Sequence, residues 1–152
     1  MNGYFDIALN LASHRFLGDR KKVITNAISH NVNFFNIVCS SIDELDFVKD
    51  LNSRFRENSC FTLGVHPHNA NELNEDNLQS LKDSIKMHHP SAVGETGLDI
   101  LRNLSSYENQ IDAFEQQIII SIENNLPLFL HQREAHDDFI KVIDKYISDI
   151  PK

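Results

Sequence analysis

The chain has 152 residues, of which 41% are hydrophobic and 24% charged, and carries a net charge of −8 at pH 7. That length allows one ordinary domain with a real core, and the acidic balance excludes general electrostatic attraction to nucleic-acid phosphates. A bound divalent metal can still supply positive charge locally. No run approaches the roughly 18 apolar residues of a membrane helix, and the residues from Met1 lack the basic-then-apolar order of a secretory signal. Cys39 and Cys60 lie in apolar runs and form no Cys-x-x-Cys pair. They read as free buried thiols, which favours a reducing, cytoplasmic setting.

Tyr4 to Leu11 reads as a first strand with a polar end, and Asp19 to His30 as a helix with Val23, Ile24, Ala27 and Ile28 at helical spacing. Asn33 to Cys39 is a second, buried strand. Ser41 and Glu44 have capping-box spacing and open a helix carrying Leu45, Val48 and Leu51. Cys60 to Val65 is a third strand, followed at once by His66-Pro67-His68. A helix at about Asn74 to Met87 carries Leu78, Leu81 and Ile85. Ser91 to Gly94 is a short fourth strand. Ser105 and Glu108 form a second capping box before a helix with a stripe of Tyr107, Ile111, Phe114, Ile118 and Ile122. Pro127 to Leu130 is a fifth strand ending at His131, and a last helix runs from about Glu134 to Ile147.

Strand then helix, about five times over, with apolar rather than alternating strands, is an α/β pattern of parallel strands covered by helices. The alternatives are an open doubly wound sheet and part of a (β/α)₈ barrel. The absence of a glycine-rich dinucleotide fingerprint or a P-loop disfavours an open nucleotide-binding sheet.

In such folds the C-terminal strand ends converge on one face. Asp6, Asn10, His66, His68, Glu95 and His131 all fall at or just past predicted strand ends. Imidazoles with a carboxylate suit Zn²⁺ or Mn²⁺, and Mg²⁺ where carboxylate and water dominate. Each residue has a plainer reading. Glu95 could cap a helix or neutralise Arg102, His66 and His68 could be loop residues, and His131 could be a core histidine donating to a carbonyl. Arg133 fits a surface ion pair with Glu134 or Asp137 as well as a phosphate clamp. His14, His30, His88 and His89 read as surface or helix-end residues.

Three motifs decide between these readings: Gly64-Val65-His66-Pro67-His68, Gly94-Glu95-Thr96-Gly97-Leu98-Asp99 with Arg102, and His131-Gln132-Arg133-Glu134-Ala135-His136. Gln110 and Phe114 lie between the last two. In order and spacing the chain resembles the TatD family of metal-dependent deoxyribonucleases, within the amidohydrolase-like barrels. The resemblance implies a partial TIM-type barrel, about five βα units of eight, in a single domain over residues 1–152. It implies Glu95 as a bridging metal ligand and His131 as a second ligand, both catalytic. His66 and His68 would lie near substrate, and Arg102 and Arg133 would face phosphate or hold the carboxylates. The implied activity is hydrolysis of DNA phosphodiester bonds by a 3′-exonuclease with a divalent metal, Mg²⁺ first and Mn²⁺ or Zn²⁺ as alternatives, in DNA repair and turnover.

Two departures qualify the resemblance. Where much of the family has Asp-x-His-x-His, this chain has Asp6-Ile7-Ala8-Leu9-Asn10. Asp6 and Asn10 are then direct or water-mediated metal contacts. The family's later ligand histidine and aspartate, near strands six and eight, have no counterpart here. The expectation is therefore an impaired nuclease, with self-association or a complementing C-terminal chain covering the open sheet. The alternatives are an inactive relative that binds metal or a partner, and a metal hydrolase of a small ester, lactone or amide.

Overall fold

The structure, a computed structural model, describes residues 3–151; Met1, Asn2 and Lys152 lie outside the described residues. Its strands are β1 (Tyr4–Leu9), β2 (Val32–Ile37), β3 (Ser59–Leu63), β4 (Ala92–Asp99) and β5 (Leu128–Arg133). They form one sheet in the order β1-β2-β3-β4-β5, with every neighbouring pair parallel. The crossovers carry helices α1 (Arg20–Ser29), α2 (Leu45–Arg54), α3 (Glu75–His88) and α4 (Tyr107–Asn124), and α5 (His136–Asp144) follows β5. Strand order equal to chain order means that the winding never reverses. That is barrel winding, because a doubly wound sheet reverses at a switch point. The fold is the partial barrel that the family resemblance implies, and the open doubly wound alternative is set aside.

Several element boundaries differ from the sequence reading, each for a local reason. At α2 the Ser41 side chain makes no cap bond, and a short 3₁₀ turn (Ile42–Glu44) intervenes. Glu44 Oε2 instead accepts from the Ser40 N–H at 2.9 Å. At α4 the cap is Ser106, whose Oγ accepts from the Asn109 N–H at 3.3 Å. Ser105 is engaged elsewhere, its hydroxyl donating to the His68 carbonyl at 2.8 Å. Strand β4 runs five residues beyond Gly94, to Asp99. Asp6 lies in the middle of β1 rather than at its end.

The core is in two parts. The larger joins Ile24, Phe35, Ile37, Val48, Leu63, Leu81, Ile85 and Val93, packing α1 to α3 on the sheet. The smaller joins Leu98, Phe114, Ile118, Ala135 and Val142 beneath α4 and α5. Phe114 is fully buried and stacks on Phe139 with ring centroids 5.1 Å apart. Both cysteines are free; Cys39 is buried, which pushes its thiol up to about 12, whereas Cys60 is only half-buried. The outer strand β1 leaves Tyr4, Phe5 and Ile7 exposed. Among the described residues no helix is long and apolar enough to cross a membrane.

Phe114→Ala removes a fully buried ring from the smaller cluster and is expected to cost about 3–5 kcal/mol. Urea denaturation of wild type and variant measures this.

Candidate metal centre

Each side chain of the centre is delivered by a specific local device. Past β3, His66 is the N-cap of a 3₁₀ turn (Pro67–Glu72). Pro67 follows it at the first turn position, where its missing N–H costs nothing. The His68 N–H donates to His66 Nδ1 at 3.1 Å, which tucks the His66 ring over its own turn. With that lone pair occupied, the neutral ring carries its proton on Nε2. This nitrogen lies 3.9 Å from Glu95 Oε1.

Glu95 is not at the end of β4. The ladder to β5 pairs Gly94 with Phe129 and Thr96 with Leu130, so Glu95 is an extra residue in a bulge. Bulges re-aim a side chain within a strand, and here the bulged residue is the acid. Beyond it the alternation of the pleat puts Glu95, Gly97 and Asp99 on one face. Gly97 has φ +144°, and a Cβ there would lie 1.9 Å from the His131 carbonyl oxygen. Gly94, at φ +138°, meets the Phe129 carbonyl in the same way, at 2.1 Å. The glycines around the acid are therefore required by close strand approach.

His131 lies within β5, three residues from its start, and pairs with Gly97. Its Nδ1 is 2.9 Å from Glu95 Oε1 and its Nε2 is 3.3 Å from Asp99 Oδ2. Asp99 Oδ2 also lies 2.7 Å from His68 Nε2, and Oδ1 accepts from the Arg102 N–H at 3.0 Å. Asp99 is a residue the sequence reading quoted in a motif but gave no role. The signal was present, since it shares the strand face of Glu95 two pleats further on. A strand ending at Gly94, as local sequence suggests, leaves Asp99 in a loop and hides this shared face.

The electrostatics follow the geometry. Burial pushes the His66 imidazole down to about 4, against a smaller opposing pull from Glu95. His131 is raised, first by its hydrogen bond to Glu95 and against burial, so the two carboxylates beside it favour its protonated form. Burial opposes ionisation of Glu95, but the His131 hydrogen bond and the three nearby imidazoles together hold its carboxyl below the ordinary range. Asp99 is likewise opposed by burial, yet the Arg102 N–H and the two histidines bring it down to about 2.

Donor atoms of His66, Glu95 and His131 all lie within 4.8 Å of one another. Metal–ligand bonds of about 2.1 Å can gather such donors with small side-chain shifts. One nitrogen and one carboxylate oxygen already in contact, with a second imidazole beside them, fit a divalent cation. Glu95, His66 and His68 open onto a cleft of about 320 Å³ that Asn10, His14 and Arg102 also line. His14 is exposed, as the sequence suggests, and also lines this cleft. Arg133, by contrast, is exposed at the last position of β5. Asp6 Oδ1 accepts from the nearby Ala8 N–H at 3.1 Å, within its own strand.

A model of the family described as "TatD related DNase" matches residues 5–150. The 3′-5′ ssDNA/RNA exonuclease TatD of Pantoea ananatis is 37% identical over 147 residues, covering 97% of this chain and 56% of that protein. Its namesake from Erwinia billingiae is 36% identical over 148 residues with the same coverage. The chain therefore spans little more than half the length of these curated relatives. Among solved structures, an uncharacterized amidohydrolase from Saccharomyces cerevisiae superposes with a TM-score of 0.87 at 29% identity, over 96% of this chain and 52% of that one. A TatD homolog from Escherichia coli K12 gives 0.86 at 21% identity over 94% and 56%, a likeness of fold.

The unfolded His66 ring titrates near 6.5 and the folded one at about 4, so the unfolded chain binds more protons between those values. That part of the stability is present above pH 6.5 and is lost as pH falls towards 4. In metal-free buffer, the urea midpoint is expected to drop less between pH 7 and about 4.5 in His66→Gln than in wild type.

Proposed function

Because the chain belongs to the TatD related DNase family, we propose that its strand ends build the active site of a metal-dependent nuclease. The substrate class is single-stranded nucleic acid, cut at phosphodiester bonds from a 3′ end. The observation that carries this reading is the His66, Glu95 and His131 cluster, with donors within 4.8 Å, opening onto a cleft that also holds Arg102. The ion, when bound, acidifies a water and polarises a phosphoryl oxygen. Mg²⁺ is the proposed physiological ion, with Mn²⁺ and Zn²⁺ also compatible with the imidazole donors.

In this proposal Glu95 and His131 would hold the ion, with Asp99 orienting the His131 ring through its contact to Nε2. His66 serves as a donor towards substrate, because its Nδ1 is held by the His68 N–H. His68, locked to Asp99, stands beside it. Arg102 in the cleft steadies a phosphate, and Arg133 at the outer end of β5 meets a more distant one. Asn10 is the proposed contact from the first βα loop. Asp6, whose carboxylate is turned to its own strand, is left outside the ligand set.

Two firm ligands fall short of the four to six donors, roughly, that such ions take from protein and water. The proposed nuclease activity of these five βα units alone is therefore weak. Exposed Phe5 (51%) and Ile7 (59%) on the free edge strand support association with a second copy or a complementing chain. The free thiols of Cys39 and Cys60 support a reducing, cytoplasmic location.

Calorimetry with Mn²⁺ tests the site. Wild type is expected to bind, and Glu95→Ala to bind at least about 100-fold more weakly; a wild type that takes up no ion would overturn the proposal. With Mg²⁺ and a 3′-labelled oligonucleotide, any cleavage is expected to disappear on chelation and in Glu95→Gln. Light scattering on the purified chain is expected to give a mass above the 17.4 kDa of one copy, and a clean monomer counts against self-association.

A further inference from the structure

Two glutamines on α4, Gln110 and Gln117, are fully buried, seven residues and two turns apart on one helix face. A buried primary amide is costly unless its hydrogen bonds are made, and both are. Gln117 Oε1 accepts from the Val65 N–H at 2.8 Å, while its Nε2 donates to the Val65 and Ala113 carbonyls, both at 3.0 Å. Gln110 Oε1 accepts from the Asp99 N–H at 2.9 Å, and its Nε2 donates to the carbonyls of Asp99 at 3.3 Å and Ser105 at 3.0 Å. Each amide thus grips both the N–H and the C=O of one residue. That is the bond pattern a neighbouring strand would make.

The two gripped residues are where the centre is delivered. Val65 precedes His66, and Asp99 carries the carboxylate against His68 and His131. Strand β3 has already left the sheet there, its last pairing to β4 being Leu63 with Val93. Past that point the backbone groups of Val65 need a partner, and Gln117 supplies it. Gly64 makes room: a Cβ there would sit 2.5 Å from the Gly94 Cα and 2.7 Å from Gln117 Oε1. The loop before α4 adds a third tie, the Ser105 hydroxyl to the His68 carbonyl.

We propose that Gln110 and Gln117 are positioning residues that index the end of β3 against the end of β4, and so set the spacing of His66 and His68 relative to Asp99 and His131. Helix α4 acts as a rigid rule with two marks. Without the marks both strand ends still have their apolar cores, but the imidazoles lose their common register. This rests on the metal-site reading for its functional consequence, and on the geometry alone for its effect on the histidine rings.

The test uses Gln110→Met and Gln117→Met, close in volume but unable to donate, with Ile118→Val as a control that loosens the same buried helix face. Two readouts are taken on each folded protein: Mn²⁺ affinity by calorimetry, and the imidazole ¹⁵N shifts of His66, His68 and His131 without metal. The glutamine variants are expected to bind Mn²⁺ at least about tenfold more weakly, the size expected when a supporting hydrogen bond is removed. They are also expected to shift the ring signals, Gln110→Met at His68 and His131, Gln117→Met at His66. Ile118→Val should leave affinity and shifts at wild-type values. Folded glutamine variants with wild-type ring signals would overturn the proposal. If wild type binds no Mn²⁺, the metal-site reading fails, and the ring signals still decide the positioning role. Should the methionine variants not fold, Gln110→Glu and Gln117→Glu keep an acceptor for the N–H, lose the amide donors and are read in the same way.

Discussion

A carboxylate with no solvent exposure organises this molecule. Asp99 is fully buried, and a buried charge persists only where it is met by hydrogen bonds and opposite charge. Its partners come from three places: His68 after β3, the Arg102 N–H in the loop after β4, and His131 on β5. Satisfying one carboxylate therefore draws three successive strand ends to a point. The ionisation of Asp99 and the closeness of the histidines are the same fact seen from two sides.

Glu95 and Asp99 share a strand and a face but have different work because their surroundings differ. Glu95 is turned by the bulge into the cleft, where its side chain keeps 21% of its exposure. Asp99 keeps none and is tied on both oxygens. Between them Gly97 lets β5 come close enough for His131 to touch both acids. An outer acid that can accept a cation and an inner acid that orients the imidazoles is a division set by burial. It also reconciles a net charge of −8 with the proposed nucleic-acid substrate. Attraction to phosphate need come only from the centre itself and from the arginines nearest it.

Much of this was legible in the residues. Apolar strand segments separated by helix-period stripes required parallel strands under helices, and histidines and an acid at strand ends required a common face. His66 and His68 just past β3, Glu95 in the β4 bulge and His131 within β5 meet there because parallel strands in this winding turn their C-terminal halves to one side. Element existence was also readable, from Val23 and Ile24 through to Phe114 and Ile118. Other features were not. The seryl cap of α4 moved from Ser105 to Ser106 because His68 competes for the first hydroxyl, a contact between residues 37 apart in the chain. Glu95 sits mid-strand because the pairing of β4 to β5 continues past it to Asp99, and Asp6 and Arg133 are not among the residues lining the cleft.

What the sequence by itself determined is the repeat of strand and helix, the family-specific motifs, and which metal-ligating residue types fall near the strand ends, because each depends on local spacing and residue type. What only the tertiary structure decided is how those residues divide the labour: the bulge that aims Glu95, the burial that makes Asp99 the inner acid, and the grip of Gln110 and Gln117 on the strand ends. These depend on the separation of segments distant in the chain. A hydrogen bond made or lost over less than an ångström cannot be read from spacing along one strand.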